Sequence, residues 1–212
     1  MFDIPSQPYE MTASDAAALI ADRKLSVAEL TASCLSRISE RDAVVKAWVH
    51  VDHGLAMRKA RELDKVLIHS GSRGPLHGLP FGVKDMIDTE DLPTTNNSPI
   101  YDGHQPGENA KIVRNIIGTG GFGLGYTDTG EFAAGGRKAL TRHPMDSLRT
   151  PGGSSSGAGA AVGDMQVPLA LGTQTGGSHI RPASFNGIYA LKPTHNSVAW
   201  SGARQYSPTL DT

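Results

Sequence analysis

Thr150-Pro151-Gly152-Gly153-Ser154-Ser155-Ser156-Gly157-Ala158-Gly159-Ala160-Ala161-Val162 is the stretch on which the reading of this chain turns. Three serines sit between glycines, and small helix formers follow. The glycines carry no side chain that could cover the hydroxyls. The Gly/Ala run lets a helix lie close against whatever precedes it. By composition alone a flexible Gly/Ser linker fits as well. The small-residue helix directly after the serines argues for a built loop, because a linker needs no such helix.

Downstream, Leu169-Ala170-Leu171-Gly172-Thr173-Gln174-Thr175-Gly176-Gly177-Ser178-His179-Ile180-Arg181-Pro182-Ala183 reads as a buried strand running into a Gly-Gly turn that ends at a serine. Successive backbone N–H groups at such a turn can converge on one anion. An ordinary strand-to-loop turn has the same composition. Upstream, Phe81-Gly82-Val83-Lys84-Asp85 places a lysine inside an apolar run. Burying it charged is costly. It either snorkels to the surface or loses its proton through desolvation and becomes a base.

The rest of the chain supplies the scaffold. Ser14 reads as an N-cap ahead of Asp15–Ile20, and Ser26 with Glu29 as a capping box ahead of a helix through Leu35 and Ile38. Val44–Val51 reads as a short strand and Leu55–Ile68 as an amphipathic helix. Beyond Gly71 come a strand-like run at Phe81–Asp88, a helix at Asn109–Ile117, and short strands at Phe122–Tyr126, Val167–Thr173 and Gly187–Leu191. Single buried strands alternating with helices predict an α/β fold. The organisation expected is a helical region over residues 1–70 and a Gly-rich core over 71–212, with no linker between them.

Composition sets the outer bounds. The 212 residues carry 20 Lys+Arg against 21 Asp+Glu, a net charge of −1. Near-balance argues against a broad electrostatic nucleic-acid binder. No apolar run approaches the roughly 18 residues that span a bilayer. The N-terminal MFDIPSQPYEM has neither a basic n-region nor an apolar h-region, so no signal peptide is expected. The single Cys34 excludes an internal disulfide framework and a Cys-rich zinc site, and predicts a cytoplasmic, reducing location. There are 25 glycines, most of them between Gly71 and Gly187, which suggests a site built from backbone.

Three other patterns carry less. Gly118–Gly123 satisfies G-x-G-x-x-G but follows a helix and opens none, so the dinucleotide reading fails on context. Gly153–Gly157 satisfies G-x-S-x-G, but Arg149-Thr150-Pro151-Gly152 before it is a poor strand. Its partners would have to be Asp164, Asp211, His179 and His195, all in one short stretch. His50 and His53 have no further ligand nearby in sequence.

Taken together, the segments resemble the amidase signature family. Gly78-Leu79-Pro80-Phe81-Gly82-Val83-Lys84-Asp85 is similar to its lysine strand, and Pro151–Gly157 to its serine loop. Gly172–Ala183 is similar to its nucleophile turn, and Ala190-Leu191-Lys192-Pro193-Thr194 to the stretch after it. Tyr126–Ala133 is a looser match. The order is the family's, and so is the step from Ser154 to Ser178. The resemblance implies a mixed β-sheet core flanked by helices and an amide hydrolase with a Ser–cisSer–Lys triad. Carried over, Ser178 is the nucleophile, Ser154 (after a cis peptide) bridges it to Lys84, and Lys84 is the neutral base. The oxyanion hole is the backbone N–H groups of Thr175, Gly176, Gly177 and Ser178. Ser155 and Arg181 support the site. The implied substrate is a small-molecule amide, with no metal, organic cofactor, nucleic acid or membrane involved.

The chain also departs from the family. It covers only about half of a family member, the C-terminal part of the family domain being absent. That opens other readings: an inactive fragment, a non-catalytic partner-binding subunit, or a protein like the amidase-type component of an amidotransferase. A homodimer or a C-terminal partner segment would then cover the open sheet edge. His179 and Ile180 separate Ser178 from Arg181, where many members have one residue. Tyr126 replaces a common lysine and Ala190 a glycine. Gln174 stands where aspartate is frequent, a form that points toward stand-alone amidases.

Overall fold

The computed structural model describes residues 6–212. The first part of the stretch read for a secretion leader, residues 1–5, lies outside the described residues. The elements in order are α1 (Ala13–Ala21), α2 (Val27–Val45), β1 (Trp48–Val51), α3 (His53–Ser70), β2 (Pro80–Lys84), α4 (Lys111–Gly118), β3 (Phe122–Thr127), α5 (Ser156–Gly163), β4 (Leu169–Leu171) and α6 (Ile180–Asn186).

Local chemistry sets most of these boundaries. The Ser26 hydroxyl accepts from Glu29 N–H while the Glu29 carboxylate accepts from Ser26 N–H, the capping box read from sequence. At α1 the cap is Thr12, not Ser14. Thr12 Oγ1 accepts from Asp15 N–H at 3.1 Å, so the helix begins one residue before Ser14. Val44 and Val45 end α2 instead of opening β1, although both are β-branched. Lys46 closes the helix in the left-handed region at φ 55°, and the Asp42 carboxylate takes the Ala47 N–H at 2.6 Å. The run expected over Phe81–Asp88 stops at Lys84, where Met86 N–H and Ile87 N–H turn back onto the Lys84 carbonyl. Gly187–Leu191 is not a strand. Gly187 ends α6 in the left-handed region at φ 69°, no strand among the described residues pairs with the segment, and Tyr189 is fully exposed.

The four strands form one mixed sheet in the order β1-β3-β2-β4. β1 runs antiparallel to β3, and β2 runs parallel to both β3 and β4. Central β2 is buried along its whole length, which explains its unbroken apolar reading up to Lys84. One cluster packs α1, α2 and α3 with Leu79, Phe122, Leu124 and Ala160. A second gathers Phe81, Val83 and Tyr126 with Val113 of α4.

The start of α5 packs closely against the residues that flank β1 and β3. A Cβ on Gly157 would stand 2.3 Å from both Ala47 O and Asp128 N. Only glycine admits that contact, and Gly157 N–H uses it to bond the Asp128 carbonyl at 2.9 Å. The other end of α5 is tied to α2 by Asp164, which pairs with Arg37 and Arg41 at 3.2 Å each. The serine loop is thus held between an anchored helix and the sheet's C-terminal edge. No helix of the described residues is long and apolar enough to cross a membrane.

Candidate active site

Lys84 ends the most buried strand, and its side chain is 0% exposed. Its Nζ lies 2.9 Å from Ser154 Oγ and 2.7 Å from Thr173 Oγ1. Burial pushes the Lys84 amine down to about 7, while the Asp211 carboxylate works in the opposite direction. Of the two readings open to this lysine, the snorkelling one is excluded. Thr173 is a site residue that the sequence reading missed. Its signal is topological: β4 runs parallel beside β2 with Leu171 opposite Val83, which brings the residues after Leu171 alongside Lys84.

The serine loop has a defined shape. The Gly153–Ser154 peptide is cis. Arg181 Nε and Nη2 both donate to the Gly153 carbonyl, at 3.0 and 2.6 Å. Ser155 N–H donates to the Ser178 carbonyl at 3.0 Å. Ser155 Oγ accepts from Thr173 N–H at 3.2 Å and donates to the Thr173 carbonyl at 3.1 Å. Ser156 Oγ closes the loop on the Gly152 carbonyl at 2.8 Å. Ser155 therefore stitches the serine loop to the turn that carries Ser178.

That turn is braced by Gln174, whose Oε1 accepts from His179 N–H at 3.1 Å and Ile180 N–H at 3.0 Å. A carboxylate would accept the same two donors, so the geometry assigns Gln174 a bracing role and favours neither residue type. The backbone N–H groups of Thr175, Gly176, Gly177 and Ser178 have no protein acceptor among the described residues. Ser178 itself is 9% exposed. Ser154, Ser178 and Arg181 line one cleft of about 340 Å³, walled by residues 130–139. The hydrogen bond between Lys84 and Ser154 is formed, whereas no Ser154–Ser178 hydrogen bond is present among the described residues.

The remaining sequence-level candidates separate cleanly. Asp164 is engaged with Arg37 and Arg41, and His195 Nε2 with the Pro208 carbonyl at 3.0 Å. Neither joins a serine. His179 is half-buried beside Gly172, where a Cβ would meet its Nδ1 at 2.6 Å. Burial first, and then Lys84, hold its imidazole below the usual histidine range. Tyr126 is buried, with its hydroxyl accepting from Thr89 N–H at 2.8 Å and bonded to Thr94 Oγ1 at 2.7 Å. Desolvation pushes its phenol up to about 12. The Gly118–Gly123 run leads from α4 into β3, a helix-to-strand turn.

A mixed sheet that buries a lysine against the hydroxyl following a cis peptide, beside a Gly-Gly-Ser turn, defines an amidase-signature fold. The chain belongs to the Amidase family, which it matches over residues 29–212. It is 38% identical over 96% of its length to the A-type component of glutamyl-tRNA(Gln) amidotransferase of Chloroflexus aurantiacus, and covers 43% of that protein. It is 41% identical over 94% of its length to the same-named protein of Acidothermus cellulolyticus, covering 41% of it. Among solved structures, the native peptide amidase from Stenotrophomonas maltophilia superposes with a TM-score of 0.90 at 32% identity, over 96% of this chain and 44% of that one. The chain thus spans less than half the length of the relatives it matches.

Proposed function

We propose that this chain carries the acylation centre of an amide hydrolase, converting a carboxylic amide and water to a carboxylate and ammonia or an amine. The observation that carries the reading is the fully buried Lys84 with its Nζ 2.9 Å from Ser154 Oγ. An amine held near neutrality by burial is matched to proton transfer at physiological pH. In the first step Ser178 Oγ attacks the amide carbonyl carbon, and its proton passes to Ser154 as the Ser154 proton passes to Lys84 Nζ. The developing oxyanion takes the unpaired N–H groups of Thr175, Gly176, Gly177 and Ser178. The C–N bond then breaks, and the leaving nitrogen takes the proton back along the same relay. Water then attacks the Ser178 ester and gives a proton to Lys84 through Ser154; the C–O bond to Ser178 breaks, the relay passes that proton to Ser178 Oγ, and the carboxylate leaves. Ser155 and Arg181 keep the loop and the turn in register. The cleft suits a small amide.

In this reading the helical region called over 1–70 buttresses the catalytic core at 71–212 through its described residues 6–70, and the protein works in a reducing compartment such as the cytoplasm, in keeping with its one free, buried cysteine. A fluorophosphonate probe tests the nucleophile. Labelling is expected at Ser178 and lost in Ser178→Ala, and labelling that survives this substitution sinks the assignment. A second reading is one component of a multi-chain amidotransferase, favoured by the names of the curated relatives. Release of ammonia from a simple amide by this chain alone counts against it. A purely partner-binding role is favoured by β4, which among the described residues pairs only with β2, and by the apolar groove of about 440 Å³ beside it. Probe labelling at Ser178 decides against that role.

A further inference from the structure

Asp211, raised in the sequence only as a possible partner for the Gly153–Gly157 pattern, is 1% exposed. A carboxylate so deeply buried needs donors to hold it. Tyr206 N–H and Ser207 N–H reach Oδ2 at 2.6 and 2.7 Å. The third donor is the Thr175 hydroxyl, on Oδ1. Thr175 opens the run of N–H groups that have no protein acceptor. The backbone beside it is tied as well, since Gln174 and Thr212 exchange both of their N–H···O bonds at 2.9 Å. Residues 206–212 therefore grip the segment between β4 and Ser178 at two adjacent points.

We propose that Asp211 is a positioning residue of the Ser178 site, clamping Thr175 and with it the backbone that cradles the oxyanion. The catalytic part of this inference rests on the amide-hydrolase reading, and the clamp rests on the contacts alone. Asp211 also acts through its charge, because the Thr175 it holds lies two residues from Thr173, the hydroxyl partner of Lys84 Nζ at 2.7 Å. Two titratable groups act on Lys84 or respond to it: the Asp211 carboxylate, which favours the ammonium, and the His179 imidazole. Removing the carboxylate leaves the desolvation of Lys84 unopposed.

Amide hydrogen exchange of the chain tests the clamp without any turnover. In Thr175→Val the Gln174 and Thr212 amides should exchange on the order of tenfold faster, as expected when a hydrogen bond to a charged acceptor is lost. Thr175→Ser, which keeps the hydroxyl, should restore protection. Unchanged exchange in Thr175→Val overturns the clamp. The charge is tested by the pH profile of probe labelling at Ser178. In Asp211→Asn the rising limb should move to lower pH, whereas in Thr175→Val it should stay in place. A profile for Asp211→Asn superimposable on wild type overturns the charge effect. Failure of wild type to label defeats the amide-hydrolase reading and the catalytic inference together, and exchange still decides the clamp.

Discussion

Replacing Lys84 with methionine isolates the cost of holding that amine in the core. The folded chain keeps the Lys84 proton only up to about 7, against 10.5 for the free side chain. Between those values the unfolded state binds the extra proton, so stability rises with pH at about 1.4 kcal/mol per unit. Folding is thus penalised most at and below neutrality, and the penalty fades as pH approaches the unfolded value. Applied to a group that is 0% exposed, this gives about 3 kcal/mol of stability gained by wild type between pH 7 and 9.5. Lys84→Met, of similar length and uncharged, should lack that rise. The assay is urea unfolding of both proteins across the range, read as the difference in ΔG at each pH. The subtraction removes groups common to both chains, including Cys34, whose thiol burial pushes up to about 12. A flat difference would mean that Lys84 keeps its charge when folded and would refute its use as a neutral base.

Two further perturbations probe the frame around the site. Thr173→Val deletes the 2.7 Å partner of Lys84 Nζ while keeping the shape, and should slow probe labelling of Ser178 by about tenfold to a hundredfold through misplacement of the amine. Labelling at the wild-type rate would show that Thr173 does not position the Lys84 amine. Gly157→Ala puts a methyl group 2.3 Å from a backbone carbonyl oxygen and a backbone nitrogen, so α5 must shift. The expected loss is about 3 kcal/mol, or a melting temperature lower by about 6–12 °C. A change under about 2 °C by calorimetry would mean the contact relaxes freely.

The serine loop shows how sequence and fold divide the work. Its glycines serve two separate needs that composition alone merges. Gly157 meets the sheet edge where no side chain fits, and Gly152, at φ 79°, packs 3.0 Å from the Pro182 backbone by the same measure. A linker would have neither contact. Arg181 also changes meaning in three dimensions. Despite the two residues between it and Ser178, it reaches the Gly153 carbonyl, because α6 begins at Ile180 and turns its side chain back over the loop.

By itself the sequence determined the α/β class and the capping box at Ser26, and its resemblance to the amidase signature family pointed to Lys84, Ser154, Ser155, Ser178 and Arg181. The class and the cap are legible because each depends on chemistry within a few residues: apolar patterning and a Ser/Glu pair three apart. The tertiary structure alone decided that Lys84 bonds Ser154 and Thr173, that Asp211 reaches Thr175, and that Gly187–Leu191 is not a strand. Those outcomes depend on which strands become neighbours. The parallel placement of β4 beside β2 sets them, and parallel pairing joins segments far apart in sequence, where local patterns carry no signal. An apolar run such as Gly187–Leu191 becomes a strand only if an edge is there to receive it.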